Sequence, residues 1–125
     1  MNYSNSSKYI DFTGFRGQKV TEITSVGVEL VNLRLESGMI NVECSWRLRL
    51  STEILVGINE SQEKDFTSIL KARLIFKPIT NIHYFEMGDL IIEFENNYFL
   101  DLFADSSTYE NYQLYLDEKL FLIGR

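Results

Sequence analysis

The sequence predicts a mainly β protein, and three observations carry that reading. Apolar and polar residues alternate along most of the chain from Val20 onward, the pattern recurs at an offset of 59 positions, and only one short stretch has helical spacing. The expected architecture is two related three-stranded antiparallel meanders plus a C-terminal hairpin, forming a β-sandwich or partly open barrel with one short helix near 65–74. About eight strands are expected.

The first eight residues are a Ser/Asn-rich polar lead with no periodicity, expected to fray. Val31, Leu33 and Leu35 alternate with Asn32, Arg34 and Glu36. Ile40, Val42 and Cys44 then alternate with Asn41, Glu43 and Ser45. A two-residue turn at Ser37-Gly38 sets Leu35 opposite Ile40, Leu33 opposite Val42 and Val31 opposite Cys44, all on one face. Trp46-Arg47 ends this third strand, with the indole packed under the following loop and Arg47 turned outward.

Asn59 to Lys64 is a polar connection. Asp65 is a suitable N-cap for a helix whose Phe66, Ile69, Leu70 and Leu74 fall on one side, and Pro78 forbids much continuation. The second meander follows at the 59-residue offset: Val20 falls on Ile79, Val31 on Leu90, Leu33 on Ile92 and Leu35 on Phe94. Beyond the next turn the offset becomes 60, matching Ile40 with Leu100 and Val42 with Leu102. A three-residue loop, Asn96-Asn97-Tyr98, accounts for the change and sets Glu93 opposite Asp101. Asp105-Ser106-Ser107 then breaks the pattern. Tyr112, Leu114 and Leu116 alternate before a turn at Asp117-Glu118 and a last strand, Leu120 to Ile123.

Composition fits one domain spanning 1–125. With 125 residues, 45% hydrophobic and one proline, the chain is long enough to bury a core without metal or disulfide. A single cysteine excludes an internal disulfide and suits a reducing cytoplasm. No secretory leader or ~20-residue apolar run is present, so a cytoplasmic location is expected.

Chemistry is sparsely supplied. His83 is the one histidine and has no cysteine pair to complete a zinc set, so it reads as a partly exposed structural residue. Cys44 points into the core and lacks a paired base. The seven glycines fall at turns and strand ends rather than in a phosphate loop. No catalytic residue, metal or cofactor is expected. An enzyme would need ionisable groups to converge in a cleft, with His83, Arg47 and Glu110 the candidates.

Charge is more informative. The net −6 disfavours nucleic-acid and anionic-membrane partners. It is also localised: Glu86 to Glu118 holds nine acids (Glu86, Asp89, Glu93, Glu95, Asp101, Asp105, Glu110, Asp117, Glu118) and no Lys or Arg. In the expected register the outer face of the 90–104 hairpin mixes these carboxylates with Ile91, Phe99 and Phe103, the composition of a surface that docks a basic partner. The partner-binding residues on this reading are Ile91, Glu93, Glu95, Phe99, Asp101, Phe103 and Glu110. The alternative is that the helix covers this face and brings Lys71 or Arg73 to its acids.

Short motifs carry a resemblance. Gly17 to Val20 opens the first strand, Trp46-Arg47 stands near the end of the third, Gly88-Asp89-Leu90 starts a later strand, and Tyr109, Glu110, Tyr112 and Leu114 form a run near the C-terminus. Over Gly17 to Gly124 the chain resembles a family of small, largely uncharacterised bacterial β-proteins, with Tyr112 standing where that pattern has tryptophan. In size, acidity and type it also resembles immunity proteins of contact-dependent growth inhibition and related toxin systems. That likeness implies a non-enzymatic binding protein that neutralises a basic toxin domain, for instance a nuclease. The alternative is a structural or small-ligand-binding β-domain with a cavity between its sheets, compatible with a homodimer.

Overall fold

The computed structural model describes residues 10–26, 30–57, 66–105 and 110–124. The polar lead at 1–8, the connection at 59–64, the Asp65 cap and residues Ser106, Ser107 and Tyr109 lie outside the described residues. Among the described residues there are ten strands and one α-helix. The strands are β1 (Val20–Val26), β2 (Leu30–Leu35), β3 (Gly38–Val42), β4 (Ser45–Leu50), β5 (Glu53–Gly57), β6 (Ile79–Tyr84), β7 (Leu90–Phe94), β8 (Tyr98–Phe103), β9 (Tyr112–Leu116) and β10 (Lys119–Gly124), with α1 (Phe66–Leu74) between β5 and β6. They form two five-stranded antiparallel sheets, ordered β1-β2-β3-β9-β10 and β5-β4-β8-β7-β6, so the fold is a β-sandwich rather than a closed barrel.

Each sheet is a meander plus a hairpin, and the hairpin comes from the other half of the chain. After β3 the chain crosses at Glu43-Cys44, and β4-β5 joins the second meander by pairing with β8; after β8 it crosses back, and β9-β10 joins the first meander by pairing with β3. Trp46 and Arg47 therefore do not end the third strand, as expected from sequence. They belong to β4, in the opposite sheet. The extra strands bring the number from about eight to ten.

The 59-residue offset is a structural repeat, visible bond by bond. Val20 pairs with Leu35 and Ile79 with Phe94, each followed by a bulge, and the Thr21 and Thr80 hydroxyls donate to the carbonyls of Arg34 and Glu93, which are themselves 59 apart. The two meander starts also pair with each other. Gly17 N–H donates to Ile79 O and Phe76 N–H to Val20 O, while Ile79 N–H donates to Gln18 O and Val20 N–H to Lys77 O. Adding 59 to either bond of each pair and reversing it gives the other, so a local two-fold relates the halves.

That symmetry explains one unusual backbone. Phe76 lies at φ +64° with 67% of its surface exposed, a conformation disfavoured for an aromatic residue, and its counterpart 59 positions earlier is Gly17 at φ +84°. The crossing of the two meander starts requires a left-handed residue at this point in both copies. Phe76→Gly is expected to stabilise the protein by a net ~0.5–1 kcal/mol, relief of roughly 1–2 kcal/mol of left-handed strain offset by glycine's extra chain entropy. Urea unfolding at equilibrium measures it, and a destabilised variant would contradict the assignment of strain.

Two turns lie one residue earlier than expected, which shifts the pairing by two residues and preserves which face each side chain occupies. Glu36-Ser37, not Ser37-Gly38, forms the first turn, so Leu35 pairs with Gly38, Leu33 with Ile40 and Val31 with Val42. Gly38 serves packing instead: a Cβ there would lie 2.6 Å from Tyr115 O, so glycine admits β9 alongside β3. In the second meander Glu95-Asn96-Asn97 form the loop, with both asparagines left-handed at φ 70° and 66°, and Tyr98 belongs to the strand opposite Phe94. Glu93 consequently faces Phe99 and Asp101 faces Ile91, so the expected opposition of two acids does not occur. The last hairpin matches its reading, turning at Asp117-Glu118 with Leu116 opposite Lys119.

The inner faces supply the core. Ile23, Leu33, Ile40, Tyr112 and Leu114 from one sheet meet Trp46, Leu48, Leu90, Ile92, Phe94 and Leu102 from the other, all buried. The helix buries Phe66, Leu70 and Leu74 and packs against β1 and β5, with Phe66 5.6 Å from the Trp46 ring. No helix is long and apolar enough to cross a membrane among the described residues.

Candidate functional site

The outer face of the second sheet is organised around Asp101. Strand alternation points it outward, yet its side chain is only 3% exposed because Arg47 and Arg49, on the adjacent β4, close over it. Arg49 donates from Nε to Oδ2 at 2.7 Å and from Nη2 to Oδ1 at 3.0 Å, and its Nη1 reaches Ser51 O at 2.7 Å. Arg47 gives Asp101 only its Nε, at 2.7 Å. The guanidinium of Arg47 stands 5.2 Å above the Phe103 ring and that of Arg49 4.4 Å above Phe99. Each cation thus has a carboxylate at its edge and an aromatic face beneath it.

This arrangement revises the expected docking face. The helix does not cover it; two arginines from the neighbouring strand do. Asp101 is neutralised and withdrawn from solvent. Glu93 is half-buried and meets His83 Nε2 at 3.1 Å, so the histidine is partly exposed and holds a carboxylate of the next strand. Ile91, Phe99 and Phe103 are half-buried on this face. Glu95 is exposed but sits in the β7-β8 turn, beside Pro78, and Glu110 precedes β9 in the other sheet, where it accepts a bond from Gln113. Arg47, His83 and Glu110 do not form a shared ion-pair or hydrogen-bond cluster among the described residues.

Four exposed acids, Glu43, Glu86, Asp105 and Glu110, and the half-buried Asp89 gather where the two crossovers meet. Glu43 N–H donates to Asn111 O, the Ser45 hydroxyl donates to Asp105, and Val42 pairs with Tyr112, which fixes Glu43, Asp105 and Glu110 at one corner of the sandwich. The β6-β7 turn is tied to the same corner by the buried Tyr112 hydroxyl, which donates to Gly88 O at 2.6 Å and so places Glu86 and Asp89 there. Phe85 and Met87, in that turn, are 47% and 86% exposed. Apart from Arg47, already engaged by Asp101, no Lys or Arg stands on these strand ends among the described residues. Four of the five carboxylates lie in the acidic stretch from Glu86 to Glu118. Locating them required knowing which strand ends meet, and local periodicity does not contain that.

Beneath this corner lies Cys44, whose thiol burial pushes up to about 12, with the charges of Asp105 and Asp89 adding to the effect. Iodoacetamide near pH 8 is expected to leave the native protein unlabelled and to modify it only once unfolded. The neutral thiol's contribution to stability is complete below the ordinary value of 9.0 and is lost as pH rises towards about 12. Wild type should therefore lose more stability than Cys44→Ala across that interval, measured by urea unfolding at each pH. Burial likewise pushes the Tyr112 phenol upward.

No group of three or more His, Cys, Asp or Glu side chains is placed to hold a metal ion among the described residues. Comparison with protein-family models, with curated proteins and with solved structures returns no match.

Proposed function

We propose that the protein is a non-enzymatic binding protein of the immunity type, which neutralises a basic toxin domain by docking an acidic surface against it. What supports the reading is the crossover corner, to which the chain ties Glu43, Glu86, Asp89, Asp105 and Glu110 together with the turn that carries the exposed Phe85 and Met87. Carboxylates concentrated at one corner raise the local potential and steer a cationic partner; the two apolar side chains then supply contact area that sets the lifetime of the complex. Of the residues first expected to bind, Glu110 belongs to this surface, and Ile91 and Phe103 flank it through the groove they share with Phe85.

The test is the association rate with the cognate basic toxin domain. Combining Glu43→Lys, Glu86→Lys and Glu110→Lys is expected to slow association roughly 10- to 100-fold at low ionic strength and to abolish protection of cells expressing the toxin. An unchanged rate, with the circular dichroism spectrum intact, would exclude this corner as the docking surface.

A further inference from the structure

Beside the acidic corner, a groove of about 240 Å³ opens on the outer face of the second sheet, lined by Arg47, Phe85, Asp89, Ile91, Asp101 and Phe103 among others. The two arginines that hold Asp101 differ in what they leave available. Arg49 has all three of its nitrogens bonded, to Asp101 and to Ser51 O, whereas Arg47 donates only from Nε. Both terminal nitrogens of Arg47 are without a partner among the described residues, on a side chain that is 41% exposed and lines the groove. Asp101 behind it and the Phe103 ring below fix its orientation. A planar guanidinium held in this way presents two parallel donors, the geometry that a carboxylate accepts.

Asp89 is the complementary element. Its Oδ1 accepts the Ala104 N–H at 2.7 Å, which anchors the carboxylate, and Oδ2 has no partner among the described residues. Arg47 and Asp89 line one groove without forming an ion pair with each other. The charges in and immediately behind the groove, Arg47 and Arg49 against Asp89 and Asp101, sum to zero. A simple anion or a simple cation would leave a net charge in a partly desolvated site, whereas a ligand carrying both charges would not. Phe85, Ile91 and Phe103 provide apolar wall.

We infer that this groove binds a small zwitterion of the α-amino-acid class with an apolar side chain, its carboxylate on the terminal nitrogens of Arg47, its ammonium on Asp89 and its side chain against Phe85, Ile91 and Phe103. The groove shares Phe85 and Asp89 with the acidic corner, but its test uses no toxin, so this inference and the docking reading fail separately.

The probe is L-phenylalanine, followed by two-dimensional NMR of the Arg47 side-chain Nε–H and the Ala104 amide. Both resonances should move saturably, with a Kd on the order of 1 mM, as expected of a small surface groove. Phenethylamine, which lacks the carboxylate, and 3-phenylpropionate, which lacks the ammonium, should each bind at least roughly tenfold more weakly. Alanine, which lacks the ring, should do the same. Asp89→Asn keeps an oxygen for the Ala104 N–H and is expected to fold normally while losing preference for L-phenylalanine over 3-phenylpropionate. Arg47→Met should abolish binding of the amino acid. The inference is overturned if L-phenylalanine at about 10 mM moves neither resonance, if either single-charge analogue binds as tightly as the amino acid, or if Asp89→Asn retains the full preference.

Discussion

Trp46→Ala is expected to destabilise the protein by about 3–5 kcal/mol, the range for removing a large buried aromatic side chain from a core that cannot fully collapse. Trp46 is 2% exposed and packs against Phe66 at the start of the helix. The helix buries only three side chains, so it has few contacts to replace the one it loses. Hydrogen exchange should therefore show residues 66–74 losing protection well before the sheets, alongside a lower urea midpoint. A variant in which helix and sheets exchange in parallel would show that the indole supports the core at large rather than the helix in particular.

Asp101→Ala should cost about 3 kcal/mol, the low end of what breaking a buried ion pair removes, because both arginines retain some contact with water. Their side chains are 41% and 20% exposed for Arg47 and Arg49. Without the carboxylate, two like charges face each other on one strand with only the rings of Phe103 and Phe99 beneath them. Arg49→Met should be more damaging than Arg47→Met, since it deletes two of the three bonds to Asp101 and the one to Ser51. Equilibrium urea unfolding of the three variants ranks them. A loss below about 1 kcal/mol for Asp101→Ala would mean that the cluster is no stronger than a surface pair.

The fate of Asp101 shows where reading the sequence stops. Alternation in β8 placed it on the outer face, correctly, and suggested an accessible acid. What hides it are arginines 54 and 52 positions earlier in the chain, on a strand whose partner could not be known before the crossover was seen. The meanders were legible because their partners are neighbours in sequence and because the offset of 59 compared the chain with itself. The turn at Glu36-Ser37 was misplaced for a related reason. Glycine is a turn signal when only the local sequence is visible, but Gly38 answers to Tyr115, which approaches from 77 residues away. Asp117-Glu118, by contrast, closes a hairpin whose two strands adjoin in sequence, and there local reasoning was sufficient. The corner of acids follows the same rule: the stretch from Glu86 to Glu118 announced an excess of charge, and only the pairing of strand ends showed where it collects.

The exchange of hairpins between the halves also dictates an order of events during synthesis. As the chain leaves the ribosome, β4-β5 emerges some forty residues before β8, the strand it must pair with, and β3 keeps an open edge until β9 appears. Neither half can finish its own sheet. The second sheet becomes possible once residue 103 is free, but its buried face of Trp46, Leu48, Leu100 and Leu102 then lacks the hairpin that completes the opposite layer. Closure of the sandwich therefore waits for β10, and the nascent protein carries exposed apolar surface until nearly all of the described chain has been made.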